Sequence, residues 1–277
     1  MLAASGGLAG QELTYSGGLS YYGGRYVFDA WTDAFYFTNG LRVTAGRLEL
    51  GASLPVVVQN GGVVSVVAGT PVPTGGEDHH QLRGRQGGDR IHTHGERGAP
   101  GGSGGVAFRS GYETALGDPL LDASWAVLSG PGRLRSLRLG ASVKAPLHDP
   151  GAAASSGAWD FALGASAVTA AGSVLLLADA AYWWVGDLPG LELRDGLAYA
   201  LGGSVPAFSG RGSVMLLLSG MTRLVPGVDP PLSLLLSVGR SAGGRGFLSA
   251  GLATGLTESA PAVAVLVGWS VRLGGRG

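Results

Sequence analysis

Four of the five histidines in the chain lie in one polar stretch, EDHHQLRGRQGGDRIHTHGERG at 77–98. They are His79, His80, His92 and His94, and acidic residues lie beside them. Imidazole and carboxylate groups are metal ligands, so this spacing raises the hypothesis of a metal site. The spacing matches no closed site, and no second shell of partners is visible. The alternative is a solvated polar loop, which we expect, with no metal and no cofactor.

Candidates for catalysis are few. The sequence has no HExxH helix and no serine that its context marks as a nucleophile near a histidine. Three carboxyl groups, Asp122, Asp160 and Asp179, could form an acidic pair only if strand register brings them together. We therefore expect no enzyme activity and keep an outer-membrane hydrolase as the last alternative.

The amino-acid composition further limits the classes of function that the protein can have. The chain has 277 residues, of which 14% are charged and 45% hydrophobic, and its formal net charge is zero. The protein therefore has no net positive charge whose electrostatic field would attract nucleic acid. The absence of cysteine excludes disulfides and thiolate metal sites. Glycine, with 52 residues, far exceeds its usual share of about 7% and is interleaved with Leu and Val, which argues against a disordered chain.

The elements that would position these residues follow from alternation of apolar and small or polar residues. In LRLGASVKAPLHDP at 137–150, every second residue is aliphatic, and Arg138, Gly140, Ser142 and Lys144 lie between them. Such a period of two predicts a strand with one apolar face. About twelve such runs follow one another, and most have the roughly 9–11 residues that a tilted strand needs to cross a bilayer.

Connections between the runs alternate in length. Short links at 44–47, 129–133, 169–173, 207–213 and 241–246 alternate with longer ones at 23–33, 59–111, 146–158, 185–192, 222–231 and 255–262. This order is typical of an up-and-down barrel with short periplasmic turns and longer outer loops. We predict an all-β protein, an up-and-down antiparallel transmembrane β-barrel of about 12 strands with a long extracellular loop at 59–111. Its domain would span 11–273, between a residual export signal at 1–10 and a tail at 274–277.

Two stretches allow other interpretations. Residues 161–178 carry no charge over a length that also suits a membrane-spanning helix, but AAGS at their centre signals a turn. Both halves also alternate with period two, so we expect two strands. The stretch GGVVSVVAG at 61–69 is either an extension of the third strand or an apolar flap.

Polar positions of the alternating runs would face the lumen, because a charge facing lipid at the midplane costs roughly 2–4 kcal/mol. The expected lumen-lining and selectivity residues are Arg42, Glu49, Asp122, Arg138, Lys144, Asp160, Asp179 and Arg194. They either line an open polar channel or pair across a filled lumen. Several leucines share the inward register of the later strands, so that part of the wall is expected to be apolar.

Three segments of the chain are GLRVTAGRLELGASLPVVV (40–58), EDHHQLRGRQGGDR (77–90) and GDPLLDASWAVL (117–128). They resemble a family of bacterial outer-membrane barrels of unknown function, and the resemblance covers about 40–275. The part that begins with ADAAYWWVGD at 178 resembles the related outer-membrane proteins named for the meta-pathway of phenol degradation. The resemblance implies a barrel of about twelve strands that passes small hydrophobic molecules.

The sequence thus predicts an outer-membrane channel for passive passage of small, apolar or aromatic molecules. The expected partners are outer-membrane lipid, the permeant and, during biogenesis, the barrel assembly machinery. The first alternative is a barrel that transports nothing and has a structural or partner-binding role.

Overall fold

The computed structural model describes residues 11–62, 64–68, 70–75, 82, 90–95, 106–147, 155–188 and 191–274. Nearly all of this chain is β-strand. The strands are β1 (Gln11–Gly24), β2 (Thr32–Ala45), β3 (Leu48–Gly61), β4 (Val64–Val67), β5 (Thr70–Pro73), β6 (Thr93–Gly95), β7 (Val106–Leu116), β8 (Leu120–Ser129), β9 (Leu134–Lys144), β10 (Asp160–Ala171), β11 (Val174–Trp184), β12 (Gly196–Ala207), β13 (Gly212–Met221), β14 (Leu232–Ala242), β15 (Gly246–Gly255) and β16 (Val263–Gly274).

The sheet closes on itself, because β1 pairs with both β2 and β16. Tyr15, for example, lies opposite Leu41 on one side and Val271 on the other. Strands β7 and β8 both pair with β3, at Val56–Gly61 and Leu48–Ser53 respectively, so they occupy one position in the wall. The result is an antiparallel barrel of twelve strand positions, which confirms the predicted fold class.

Connections divide the barrel into two ends. Turns at 46–47, 130–133, 172–173, 208–211 and 243–245 lie at one end, which we call the short-turn end. The connections at 25–31, 62–105, 145–159, 185–195, 222–231 and 256–262 lie at the other, the long-loop end. The alternation of short and long links is as predicted. By the rule for bacterial barrels, the long-loop end faces the cell exterior.

Residues 161–178 form β10 and the start of β11, with a turn at Gly172 and Ser173, so the helical interpretation of this stretch was wrong. Among the described residues, no helix is long and apolar enough to cross a membrane.

The outer surface of the barrel is a band of aliphatic and aromatic side chains. Leu139, Leu163 and Leu252 are among its exposed members, and Leu252 keeps 61% of its surface accessible. A soluble protein would bury such residues, whereas a lipid-facing wall requires them. Trp269 lies over Gly17 on this face, where an added Cβ would come within 2.3 Å of the indole. Glycine at this position therefore lets the ring lie flat against the wall.

Buried hydrophobic residues concentrate at the long-loop end, inside the barrel. Phe28, Leu82, Leu188 and Leu224 come from different outer connections and meet in one cluster. The inward side chains Ala162, Trp183 and Met221 of the wall join it. The packed core of the protein is thus made mainly by loops that fold back over the lumen.

Candidate functional site

The most prominent feature of the lumen is a hairpin formed by β4 and β5, which we call the plug hairpin (64–73). Its two strands pair only with each other, from Val64 opposite Pro73 to Val67 opposite Thr70. They carry the apolar sequence that was interpreted as a strand extension or a flap. The structure favours the flap, because β3 ends at Gly61 and the hairpin leaves the wall.

The plug hairpin crosses from one wall of the barrel to another. Val66 packs against Tyr36 and Val57, which face inward from β2 and β3. Val67 and Ala68 belong instead to the cluster that contains Ala162 of β10 and Trp183 of β11. The hairpin therefore lies across the long-loop end of the lumen, between these two parts of the wall.

The tip of the hairpin is anchored by a carboxylate of the wall. Ala68 has φ of +50°, the left-handed conformation, and its N–H donates to Asp160 Oδ2 at 3.1 Å. Asp160 is fully buried, and its other oxygen accepts from the Gly186 N–H at 3.1 Å. Asp160 therefore joins the hairpin tip, strand β10 and an outer connection.

Lys144 compensates the charge of Asp160. Its Nζ lies 2.9 Å from Asp160 Oδ2 and 3.4 Å from Asp118 Oδ2, and it also donates to the Ser156 hydroxyl. Lys144 is only 2% exposed. Asp118 in turn accepts from Ser155 Oγ at 2.6 Å. This buried cluster of one cation and two carboxylates satisfies its charges internally, as burial requires.

The alternation of the strands predicts Lys144 and Asp160 as inward residues but does not reveal Asp118 as their partner. Asp118 lies in the Gly117–Pro119 break between β7 and β8, where the alternation of the strands stops. The Gly-Asp-Pro sequence signals a turn at that break. A turn signal, however, does not reveal that the carboxylate points into the barrel.

A small cavity lies directly beside the plug hairpin, and we call it the upper chamber. Its volume is about 200 Å³, and Val66 and Pro71 of the hairpin form one side. The remaining wall is made by inward residues of β1, β2, β3, β8 and β9 and by the break before β8, namely Ser20, Tyr22, Tyr36, Thr38, Ser53, Pro55, Asp118, Leu120 and Lys144.

Two larger cavities lie along the wall strands. One, of about 430 Å³, is lined by Asp122, Arg138, Asp179 and small residues of β8 to β12. The other, of about 370 Å³, is lined by Leu235, Leu266 and the glycines and serines of β13 to β16. Gly and Ser at inward positions leave this space because they fill little volume.

Most of the predicted inward charges meet on one side of the barrel. Glu49 forms ion pairs with Arg42 and Arg138, with N–O distances of 3.3 Å in each case. Arg138 also donates to the Ser124 hydroxyl at 2.6 Å. Asp122 and Asp179 line the same 430 Å³ cavity without entering these ion pairs. The structure thus brings together five of the predicted residues on the charged wall, and two others, Lys144 and Asp160, in the buried cluster.

Arg194 lies elsewhere. It is an exposed residue of the connection between β11 and β12, and its N–H donates to the Leu224 carbonyl. The selectivity role of all these residues stays a prediction.

The histidine-rich stretch is described only in part. His79 and His80 lie outside the described residues, and His94 is described through its backbone in β6. His92 is exposed and lies 3.2 Å from Asp29 Oδ2. Burial raises the pKa of Asp29, but hydrogen bonds from Thr93 and His92 outweigh this effect and hold the pKa below its ordinary value. In the described part of the chain, no three acidic or histidine side chains are grouped as metal ligands.

Comparison with solved structures identifies similar barrels. An outer-membrane channel from Pseudomonas putida F1 matches with a TM-score of 0.63 at 12% identity, and the match covers 99% of each chain. The translocator domain of the autotransporter NalP from Neisseria meningitidis has a TM-score of 0.49 at 10% identity, covering 95% of this chain and 89% of that one. The monoaromatic hydrocarbon channel CymD has a TM-score of 0.41 at 10% identity, covering 96% and 89%. No protein-family model and no curated protein matches the sequence.

Proposed function

We propose that this chain is a passive channel of the bacterial outer membrane for small, uncharged and largely apolar molecules. The observation that carries this function is the free volume of the lumen. Cavities of about 430 Å³ and 370 Å³ line opposite parts of the wall because small residues occupy most inward positions. A barrel with a purely structural role would instead be filled by its own side chains, as narrow barrels are.

The location follows from the outer surface. A band of exposed aliphatic and aromatic side chains suits the hydrocarbon layer, and the ladder closes into a barrel through the pairing of β1 with β16. The similarity to an outer-membrane channel from Pseudomonas putida F1 supports this location through the fold.

A structural or partner-binding barrel remains the competing function, and the plug hairpin is the observation in its favour. The plug, however, is a loop segment whose strands pair only with each other. Such an element can leave the lumen without breaking the barrel ladder. For the hydrolase alternative, the one histidine whose side chain the structure describes, His92, contacts Asp29 rather than a serine.

The test is uptake into vesicles whose outer leaflet is lipopolysaccharide, which slows the spontaneous passage of apolar molecules. We expect reconstituted protein to accelerate uptake of radiolabelled toluene and benzyl alcohol in proportion to the amount of protein, and to leave benzoate uptake low. The matched control is the double variant Ser142→Trp with Ser237→Trp, which places one indole in each of the two larger cavities. It should fold as a barrel and lose the acceleration.

A structural role would give a different result. Uptake equal to that of empty vesicles, both for the wild-type chain and for a variant with a weakened plug such as Ala68→Pro, would exclude the channel.

A further inference from the structure

The upper chamber has the composition of a binding site rather than of a simple passage. Tyr22 and Tyr36 meet edge to face, with ring centroids 5.5 Å apart, and Pro55, Pro71 and Leu120 add further apolar surface. Small-molecule sites are typically lined by apolar and aromatic groups with a few polar groups that fix orientation. The chamber is lined in this way.

One polar group of the chamber makes no hydrogen bond to the protein. Tyr36 is only 7% exposed, and its hydroxyl is paired with no other described residue, although the oxygen itself is not fully enclosed. A hydroxyl in a largely apolar cavity gains free energy when it finds a hydrogen-bond partner. A ligand with a hydrogen-bonding group would satisfy the Tyr36 hydroxyl.

The charges at the edge of the chamber select against anions. Lys144 is the cation that lines it, but this ammonium is already bound by Asp118, Asp160 and Ser156. The cluster therefore offers no free positive charge to a ligand. An anionic ligand would lose its hydration in the chamber and gain no ion pair in return.

The size of the chamber limits the ligand to one ring. Its volume of about 200 Å³ lies below the roughly 300–1,000 Å³ that drug-sized ligands occupy.

We propose that the upper chamber is a binding site for a neutral single-ring molecule that carries one hydrogen-bonding group. Tyr22 and Tyr36 contact the ring, and the Tyr36 hydroxyl binds the polar group. The inference rests on the proposed channel function, because the chamber would be the place where a permeant stops beside the plug hairpin.

The absence of native cysteine gives a direct test. Thr38→Cys places one thiol in the upper chamber, and Ser249→Cys places one in the cavity on the opposite wall. The rate of modification by a small neutral thiol reagent is measured in detergent with increasing benzyl alcohol, toluene or benzoate. We expect benzyl alcohol to protect the thiol at 38 in a saturable way, toluene to protect it less, and benzoate to fail. The thiol at 249 should react at an unchanged rate.

Tyr36→Phe in the Thr38→Cys background distinguishes the contribution of the Tyr36 hydroxyl to ligand binding from that of its ring. Loss of one hydrogen bond should raise the half-protecting concentration of benzyl alcohol about 2- to 10-fold and leave that of toluene unchanged. If Thr38→Cys does not fold, Ser53→Cys reports on the same chamber.

Three outcomes would overturn the site: no protection at saturating benzyl alcohol, equal protection by benzoate, or equal protection of the thiol at 249. Protection of the thiol without accelerated vesicle uptake would support the binding site and contradict the channel function. Accelerated vesicle uptake without protection of the thiol would contradict the binding site and support the channel function.

Discussion

The ammonium group of Lys144 lies where three parts of the chain meet inside the barrel. It contacts Asp160 of β10, Asp118 of the break before β8, and Ser156 of an outer connection. Removing one partner of a buried ion cluster leaves an uncompensated charge, which costs more than the cluster itself contributes.

We predict that Lys144→Met lowers the free energy of unfolding by about 3–5 kcal/mol, because two buried carboxylates then lack their cation. Urea unfolding in detergent, followed by tryptophan fluorescence, measures this change. The double variant Lys144→Met with Asp118→Asn should recover part of the loss.

The matched control is Arg223→Met. Arg223 lies 3.8 Å from Asp229, and both are exposed. Its removal should cost less than about 1 kcal/mol. An equal loss in Lys144→Met and Arg223→Met would show that the buried cluster is not a stabilising element.

At the scale of elements, the position of the plug hairpin depends on one residue at its tip, Ala68. Ala68 adopts φ of +50°, which disfavours residues with a Cβ, and its N–H binds Asp160. Glycine keeps the N–H and adopts this conformation without strain. Proline has no N–H and cannot reach a positive φ.

We predict opposite effects of these two substitutions on the plug. In planar bilayers, Ala68→Pro should increase the fraction of time that a single barrel spends in its open state, because the hairpin loses its anchor. Ala68→Gly is the matched variant and should decrease that fraction. The barrel ladder should be intact in both, since the hairpin strands pair only with each other. The same open fraction in both variants would contradict a plug anchored at Asp160.

The wall strands could be predicted from the sequence, whereas for the plug hairpin the sequence leaves two alternatives open, a strand extension and an apolar flap. Alternation along β9 and β10 fixes which side chains face lipid, because charge on that face is costly. The same rule identified Arg138 and Lys144 as inward. No such rule applies to the hairpin, because it lies inside the barrel and most of its residues are buried there. Its contact with Asp160, 92 residues away in sequence, depends on the closed barrel rather than on any local pattern.

The barrel as a whole has two kinds of inner wall. Strands β2, β3, β8, β9 and β11 contribute the five charges of the charged wall, and strands β13 to β16 contribute leucines, glycines and serines to the opposite cavity. A permeating molecule would thus pass between a polar and an apolar surface. Five charges on the polar side, two positive and three negative, nearly cancel, which suits uncharged permeants.

This near balance leads to a prediction about ion selectivity. A unit charge about 9 Å from a permeating ion in water contributes about 0.5 kcal/mol, or roughly a twofold change in permeability. Arg138→Gln should therefore shift the reversal potential in a salt gradient towards cation selectivity, by about four- to fivefold in the cation-to-anion permeability ratio, because the cation gains what the anion loses. The matched variant Glu49→Gln, in the same ion pair, should shift it by a similar amount towards anions. Both are best measured in the Ala68→Pro background, where the plug is weakened. Shifts of the same sign in the two variants would mean that ions do not pass along the charged wall.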